Sequence, residues 1–326
     1  MGYQKLDKVY EVIVNPGARS GQGIKIWNKV EVAFKEAGAT YNVHYTERYA
    51  EGRDIISELC GQYSGENKAL HLVVFGGDGT VNGVLQKIPS FENVTITVIP
   101  TGSSNDLARD LKISTDPVQA ARHMLNEPVT RLVDIGYVHC ETPLSREGKV
   151  SIPDRKFIVS TGIGYDAAIC EEAMNSGIKA FLNKIGLGKL TYLGVALKQL
   201  MSMSYADAEL IIDGGDPIKL KDLVFIAGMN HRFEGGGFMF GPNASDNDGK
   251  LDLCVVTGVS KGSVLKIMPK ALKGEHFGYD GIEQYHASTY TVKTPAPLWV
   301  HTDGEVSTMA DVLMVSVAKQ ALTLVY

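Results

Sequence analysis

Residues 71–85 read HLVVFGGDGTVNGVL and contain, in immediate succession, the patterns of a strand, a glycine-rich turn and a helix. The apolar run before Gly76 is typical of a buried strand, and the apolar residues at positions 81, 84, 85 and 88 have helical spacing. A turn of this kind lets backbone N–H groups converge, and the helix N-terminus that follows adds partial positive charge. The stretch therefore predicts a phosphate-binding turn. The alternative is a tight strand-to-helix turn that is capped by its aspartate.

Asp78 lies in the middle of this predicted turn. A carboxylate would repel a phosphate group unless a cation lay between the two. In phosphoryl transfer, Mg²⁺ bound to the nucleotide supplies such a cation. The sequence therefore predicts that Asp78 faces a Mg²⁺ ion that bridges to a nucleotide.

Two further loops have a similar composition. Residues 98–111, VIPTGSSNDLARDL, run from an apolar strand through a Gly/Ser turn into a helix, and residues 14–23, VNPGARSGQG, form a flexible glycine-rich loop after another strand. Ser103 can donate its hydroxyl to phosphate, while Asp106 can either cap the helix or hold a metal-bound water. If all three loops leave strands of one parallel sheet, they converge on one ligand.

Strand and helix patterns alternate over about the first 135 residues, which predicts a three-layer α/β domain with a mainly parallel sheet. The predicted strands there are Tyr10–Val14, Tyr41–Tyr45, Leu70–Phe75 and Val94–Ile99. From about Leu132, strand-like runs follow one another closely, as in an antiparallel sandwich. These runs are Lys156–Ser160, Glu209–Ile212, Leu223–Ala227, Leu251–Thr257, Thr289–Lys293, Leu298–His301 and Val312–Ala318, with helical patterns at 178–203 and 260–273.

This change of pattern predicts two domains. We expect a nucleotide-binding α/β domain at residues 1–134 and a β-sandwich domain at 135–311. A C-terminal strand near 312–326 is expected to return to the first domain.

Composition limits the classes of function. The 326-residue chain has a net charge of −5, which argues against nucleic-acid binding because such domains are usually strongly basic. The four cysteines stand singly and the histidines are dispersed, so neither a disulfide framework nor a zinc site is indicated, and each histidine is interpreted as a surface or packing residue. No signal peptide and no run of about 18 apolar residues is recognised. We expect a cytoplasmic protein that touches the inner membrane face only peripherally.

Taken together, NPGARSGQG, GGDGTVN and PTGSSNDLAR resemble the catalytic domain of the diacylglycerol kinase family, which includes bacterial lipid kinases and sphingosine kinases. The resemblance continues in order through RLVDIG (131–136), STGIGYDA (160–167), GGGFMFGPNASDNDGKLDL (235–253) and HTDGE (301–305). It implies an ATP- and Mg²⁺-dependent kinase that phosphorylates a lipid hydroxyl, with diacylglycerol as the expected acceptor. Undecaprenol, phosphatidylglycerol or a sphingoid base, an NAD kinase, and a non-catalytic nucleotide or lipid sensor are the alternatives.

The resemblance also implies roles for particular residues. ATP is expected against Asn15, Pro16, Gly17, Ala18, Arg19, Thr46, Gly76, Gly77, Asp78, Gly79, Thr80, Val81, Asn82, Ser103, Asn105 and Asp106. The family usually has threonine where this chain has Ser103, and Arg19 stands where many relatives are shorter or less charged. A structural magnesium site would take the Asp248 carboxylate and the backbone oxygens of Ser245 and Lys250, with Asp134 joining through water. Glu305 matches the proposed general base, delivered from the second domain to an active site between the domains, where Asp78 is the other catalytic residue.

Residues 177–203 contain four lysines, no acidic residue and several leucines. A basic amphipathic helix of this composition suits a membrane interface, and a core helix that covers the sandwich is the alternative. The expected partner is a lipid at the membrane surface, and a homodimer stays open.

Overall fold

The computed structural model describes residues 8–46, 49–66, 68–175 and 205–326. The chain forms two compact units: residues up to Val133 together with Gln320–Tyr326, and Asp134–Lys319. Compared with the predicted domains, the junction lies one residue earlier, and residues 312–319 stay with the second unit. Gln320, at the second junction, has a left-handed backbone conformation with φ +50°.

The first unit contains a sheet in the order β2-β1-β3-β4, and each of these neighbouring pairs is parallel. The end of the last strand, β15, adds to β4 through the parallel pair Thr323–Thr95. The elements of this unit are β1 Val9–Val14, α1 Ala18–Gly21, α2 Gly23–Glu36, β2 Thr40–Tyr45, α3 Tyr49–Gly65, β3 Leu70–Gly76, α4 Asp78–Lys87, β4 Val94–Pro100, α5 Asp106–Asp110 and α6 Pro117–Asn126. Because helices cross from strand to strand, the carboxyl ends of β1 to β4 share one edge.

The core of this unit follows from the alternation of side chains along each strand. Val12, Val14 and Phe75 point to one face, where they pack with Trp27 of α2 and Met124 of α6. Helices α3 and α4 contact β3 and also contact each other. The first turn of α6 is held by Asp116, whose carboxylate accepts hydrogen bonds from the N–H groups of Val118 and Gln119.

The second unit is rich in strand, with antiparallel pairing in the order β13-β12-β11-β10-β14-β15. Strand β9 pairs with both β11 and β14, and β5 pairs with β8. The elements are β5 Thr130–Glu141, β6 Leu144–Ser145, β7 Gly148–Lys149, β8 Arg155–Phe157, β9 Ser160–Gly164, α7 Tyr165–Asn175, β10 Ala206–Ile212, β11 Ile218–Met229, β12 Leu251–Thr257, α8 Lys261–Ala271, β13 Ile282–Ala287, β14 Thr289–Thr302 and β15 Glu305–Val325. Among the described residues, antiparallel strand pairs are more numerous than parallel ones. The description of a mainly parallel sheet therefore does not extend beyond the strand pairs of the first unit.

Two predicted strand boundaries differ in this unit. The strands predicted at Thr289–Lys293 and Leu298–His301 are one strand, β14, with an irregular register between Lys293 and Leu298. The strand predicted at Lys156–Ser160 is divided between β8 and β9, because the backbone N–H groups at this point donate to the carboxylate of Asp303 instead of a neighbouring strand.

The helix predicted at 260–273 is α8, whose first turn is capped by the Ser260 hydroxyl accepting from the Ser263 N–H. The helical pattern at 178–203, with its membrane or core alternatives, lies outside the described residues. Within the described ranges, no helix is long and apolar enough to cross a membrane.

Candidate functional site

Four connecting segments of the first unit lie side by side at the carboxyl edge of its parallel strands. The Thr46 N–H, after β2, donates to the Val14 carbonyl at the end of β1 (2.9 Å), and the Thr101 N–H, after β4, donates to the Gly76 carbonyl at the end of β3 (3.0 Å). The Asn15 N–H reaches the Phe75 carbonyl at 3.5 Å. The three glycine-bearing loops predicted from the sequence therefore begin at one edge, which we call the carboxyl edge.

At this edge two glycines bring their backbones into contact. A Cβ atom added to Gly77 would lie 2.8 Å from the Gly102 Cα atom, and a Cβ atom added to Gly102 would lie 2.6 Å from the Gly77 Cα atom. Neither position accepts a side chain without a shift of backbone. Bare backbone of this kind is what a phosphate-binding loop presents. Gly102 was not among the predicted site residues, although its motif, PTGSS, was.

The carboxylate of Asp78 is held by the start of α5. Its Oδ2 atom accepts a hydrogen bond from the Asp106 N–H (3.0 Å) and its Oδ1 atom accepts one from the Leu107 N–H (3.4 Å). Burial raises the pKa of the Asp78 carboxyl, although these N–H groups and the charge of Arg109 act in the opposite direction. Two backbone N–H groups therefore hold the Asp78 carboxylate in place, and its predicted contact with a Mg²⁺ ion stays a prediction.

Asp106 itself does not cap α5, which corrects one of its two predicted roles. The helix is preceded by Asn105 in a left-handed conformation, and the Asp106 carboxylate pairs with Arg109 at 3.0 Å. The Asn105 side chain instead closes the turn, because its Oδ1 accepts from the Gly102 N–H (3.0 Å) and its Nδ2 donates to the Gly102 carbonyl (2.9 Å).

The NPGARSG segment is more ordered than the flexible loop that its glycines predicted. The Asn15 Oδ1 atom accepts a hydrogen bond from the Gly17 N–H (2.9 Å), and α1 begins at the next residue. Gly23 cannot be replaced freely, since a Cβ atom there would lie 2.0 Å from the Asn15 carbonyl oxygen. Arg19 is exposed and has a φ of +47°.

The other residues predicted to contact the nucleotide differ in exposure. Ser103 and Gly17 are exposed, whereas the side chains of Val81, Asn82 and Thr46 are buried. The Asn82 Oδ1 atom accepts a hydrogen bond from the Gln86 Nε2 atom at 3.2 Å, so this side chain has a partner on its own helix, α4. A nucleotide at the carboxyl edge would therefore meet the backbone and the Ser103 hydroxyl more readily than these three side chains.

The predicted magnesium residues all lie in the second unit, Asp134 on β5 and the other three in the loop before β12. Asp134 is fully buried, and its Oδ2 atom accepts a hydrogen bond from the Gly249 N–H at 2.6 Å. The exposed Asp248 accepts from the Lys250 N–H at 2.9 Å, and the Ser245 hydroxyl donates to Asn247 at 3.1 Å. Gly249, two residues before β12, has φ +83°, so the backbone turns at this point. Both carboxylates accept hydrogen bonds from backbone N–H groups of this loop, and their role as magnesium ligands stays a prediction.

Glu305 is half-buried at the first position of β15, directly after a two-residue hairpin turn. Asp303 and Gly304 both have positive φ values, +51° and +79°, which defines the turn that an Asp-Gly pair favours. The Asp303 carboxylate accepts from the N–H groups of residues 158, 159 and 160 at 3.1, 2.8 and 3.1 Å. The turn before Glu305 is therefore fixed by its own aspartate, a role of Asp303 that was not predicted from the sequence.

A buried charged cluster adjoins this turn and was also missed. Asp166, Glu234 and His301 are 7%, 5% and 0% exposed, and the His301 Nε2 atom lies 3.2 Å from an oxygen of each carboxylate. His301, which was interpreted as a surface or packing residue, thus lies fully buried between two carboxylates. The three residues are far apart in sequence, so no local spacing could have indicated the cluster.

The ligand atoms of this cluster lie within 4.8 Å of one another, which is a distance compatible with a metal ion. However, the His301 Nδ1 atom accepts a hydrogen bond from the Gly304 N–H at 3.1 Å, so the proton of the neutral ring is on Nε2 and points at the carboxylates. A metal at Nε2 would place a proton on Nδ1, against Gly304. Burial raises the pKa of the Asp166 carboxyl, whereas at Glu234 burial is outweighed by the charge of His301 and its hydrogen bond, which lower the pKa of that carboxyl.

Comparisons with known proteins agree with these features. The family model described as the diacylglycerol kinase catalytic domain matches residues 10–138, and the one described as the YegS C-terminal NAD kinase beta sandwich-like domain matches residues 158–326. The chain therefore belongs to the diacylglycerol kinase-like family of lipid kinases, and it is a kinase.

Individual relatives are distant. The chain is 26% identical over 234 residues to a diacylglycerol kinase of Mycobacterium tuberculosis, covering 72% of this chain and 70% of the relative. It is 23% identical over 296 residues to the "Putative lipid kinase YtlR" of Bacillus subtilis, covering 90% and 92%. A crystal structure of a diacylglycerol kinase from Bacillus anthracis superposes with a TM-score of 0.72 at 21% identity, covering 100% of this chain and 98% of that one. At this identity the superposition shows a shared fold.

Proposed function

We propose that this chain transfers the γ-phosphoryl group of ATP to the free hydroxyl of diacylglycerol and forms phosphatidic acid. The observation that carries the proposal is the contact between Gly77 and Gly102 at the carboxyl edge. A side chain at either glycine would push the two loops apart and so displace the backbone N–H groups that a polyphosphate would meet. The name of the M. tuberculosis relative supports diacylglycerol as the acceptor at 26% identity.

In the proposed reaction, the acceptor oxygen forms a bond to the γ-phosphorus while the bond between that phosphorus and the bridging β–γ oxygen breaks. ADP leaves with the electron pair of the broken bond. The hydroxyl proton passes to the Glu305 carboxylate, which acts as the general base. The fixed turn at Asp303 supports this assignment, because it holds the backbone that presents Glu305.

Magnesium is proposed as the cofactor because it neutralises the charge of the phosphates. Because the Asp78 carboxylate accepts hydrogen bonds from the start of α5, we propose that Asp78 is primarily a positioning residue. It fixes the backbone at Asn105–Leu107, beside the contact between the two glycines. The site formed by Asp134 and Asp248 stays a candidate for a structural ion, and no step of the reaction depends on it. Metal analysis of the purified protein, before and after chelation with EDTA, tests whether an ion is bound there.

A substrate panel tests the proposed activity. Purified protein, Mg²⁺ and labelled ATP are incubated with diacylglycerol, undecaprenol, phosphatidylglycerol, sphingosine and NAD, each lipid in mixed micelles. We expect label in phosphatidic acid and none in NADP. Label in another lipid would mean that the acceptor is different, while the assignment as a lipid kinase would stand. Label in NADP alone would overturn the proposal.

Variants separate the roles of the two acidic residues. Glu305→Gln should lower kcat by about 10²–10⁴-fold, the usual contribution of a general base, while ATP binding measured by calorimetry stays unchanged. Glu209→Gln, at an exposed position of β10, is the matched control and should retain full activity. Asp78→Asn should weaken ATP binding and also loosen α5, which limited proteolysis would detect. Full activity of Glu305→Gln would remove this residue from the mechanism.

A further inference from the structure

Helix α8 of the second unit carries exposed apolar residues beside lysines. Leu265 and Leu272 are 43% and 48% exposed, and they lie two helical turns apart on the same side of the helix. Lys266, next to Leu265, and Lys273, next to Leu272 and two residues after the end of the helix, are exposed as well. We call these four residues, with the nearby exposed Tyr279, the α8 face.

The opposite side of α8 is anchored in the core. Val264, Ile267 and Ala271 are buried, and the first two pack with Phe225 and Val256. Because this side already supplies the contacts that hold the helix to its unit, the leucines of the α8 face are not needed for that packing. Exposed leucines arranged in a row, rather than scattered, indicate a surface with a partner.

Charge indicates which partner fits. Residues 261–273 contain four lysines and no aspartate or glutamate, although the chain as a whole has a net charge of −5. Lys270 pairs with Glu275 at 3.0 Å, which leaves the segment with an excess of positive charge. An apolar row flanked by lysines is the pattern of a helix that lies on an anionic membrane surface, where leucines enter the acyl boundary and lysines contact head groups.

We propose that the α8 face docks the protein on anionic phospholipid. The inference rests on the proposed function, since it identifies the surface through which a lipid kinase would meet a bilayer. It is distinct from residues 177–203, where the sequence indicated a membrane-binding helix.

Flotation with vesicles tests the proposal without ATP and therefore without turnover. The protein is mixed with vesicles of phosphatidylcholine alone or of phosphatidylcholine with phosphatidylserine, and the bound fraction is measured at rising salt. We expect binding to the anionic vesicles only, weakening as salt screens the lysines. Each lysine near such a surface contributes about fivefold in partitioning, so Lys266→Gln combined with Lys273→Gln should weaken binding by about 25-fold. Leu265→Ser combined with Leu272→Ser should weaken binding at every salt concentration.

Helix α2 of the first unit offers matched controls. Ile24 and Val32 are 46% and 48% exposed there, and Lys25 and Lys29 are exposed as well. This helix also carries acidic residues, and Glu31 pairs with Lys35. Ile24→Ser with Val32→Ser, and Lys25→Gln with Lys29→Gln, should leave vesicle binding unchanged. An equal loss in these controls would mean that binding follows overall charge, and it would overturn the proposal.

Two further readouts keep the outcomes separate. Activity of the α8 variants on diacylglycerol in micelles free of anionic lipid should equal wild type, while their activity on anionic vesicles falls. If no lipid is phosphorylated but vesicle binding still depends on α8, the proposed function fails and the docking surface stands. If the leucine variant changes the sedimentation of the protein from dimer to monomer and vesicle binding is unaffected, the α8 face is an interface between copies of the chain and the proposal fails.

Discussion

Replacing Asp303 with glycine should destabilise the second unit strongly, because one carboxylate serves three buried N–H groups. Each hydrogen bond to an ionised group contributes about 1.5–3 kcal/mol net, but the three share two oxygens and are not additive. We therefore expect a loss of about 3–5 kcal/mol in the free energy of unfolding, which lies between the contribution of one such hydrogen bond and that of three. Glycine is chosen because it tolerates the φ of +51° at this position.

Two further substitutions divide this free energy into parts. Asp303→Ala should lose about 1–2 kcal/mol more than Asp303→Gly, since a Cβ atom is strained in the left-handed region. Asp303→Asn keeps one acceptor oxygen and should fall between wild type and glycine. The matched control is Asp222→Gly, because Asp222 has the same φ of +51° but is exposed. It should change stability by less than about 0.5 kcal/mol.

The assay is urea unfolding followed by tryptophan fluorescence. The chain has two tryptophans, Trp27 in the first unit and Trp299 in the second, so a Trp27→Phe background leaves Trp299 as the reporter of the second unit. Separate reporting matters because two units need not unfold in one transition. A loss below about 1 kcal/mol in Asp303→Gly, or equal stability of the glycine and alanine variants, would refute the reasoning.

Two other predictions follow from the site and the core. Gly102→Ala should reduce ATP affinity at least tenfold in calorimetry while Gly61→Ala, whose Cβ would meet open space, does not; retained affinity would remove the glycine contact from the site. Burial lowers the pKa of His276 to about 4, so only the unfolded chain takes up this proton between pH 6.5 and about 4. The free energy of unfolding of the second unit should therefore decrease as the pH falls through that window, by at most about 1.4 kcal/mol per pH unit, and His276→Gln should remove this part of the slope.

The sequence predicted the parts of the fold that depend on local pattern. Apolar runs ending at glycine turns located β3 and β4, and the Asp116-Pro117 pair located the start of α6. The predicted strand at Lys156–Ser160 failed because its break depends on Asp303, far along the chain. Strand propensity depends on the residues of the segment itself, so it cannot indicate a carboxylate far along the chain that accepts hydrogen bonds from the N–H groups of that segment.

The candidate site was predictable to a similar extent. The glycine loops were predicted to converge, and their strand ends do lie at one edge. The partners of the charged groups were not predictable. The interpretation of Asp78 as facing a cation stays a prediction, but its hydrogen bonds to the start of α5 were not foreseen. The Asp166–Glu234–His301 cluster joins three residues that are distant in sequence.

Three motif aspartates share one physical role, which changes how inactive variants should be interpreted. Asp78, Asp134 and Asp303 each accept hydrogen bonds from backbone N–H groups of another segment within their own unit. A carboxylate used in this way fixes loop geometry, so its removal would abolish activity even if it never touched ATP or Mg²⁺. Loss of activity alone therefore does not identify a metal ligand at these positions. The informative comparison is between activity and local stability: a positioning aspartate loses both together, whereas a residue such as Glu305, if it is the base, loses activity with unchanged stability.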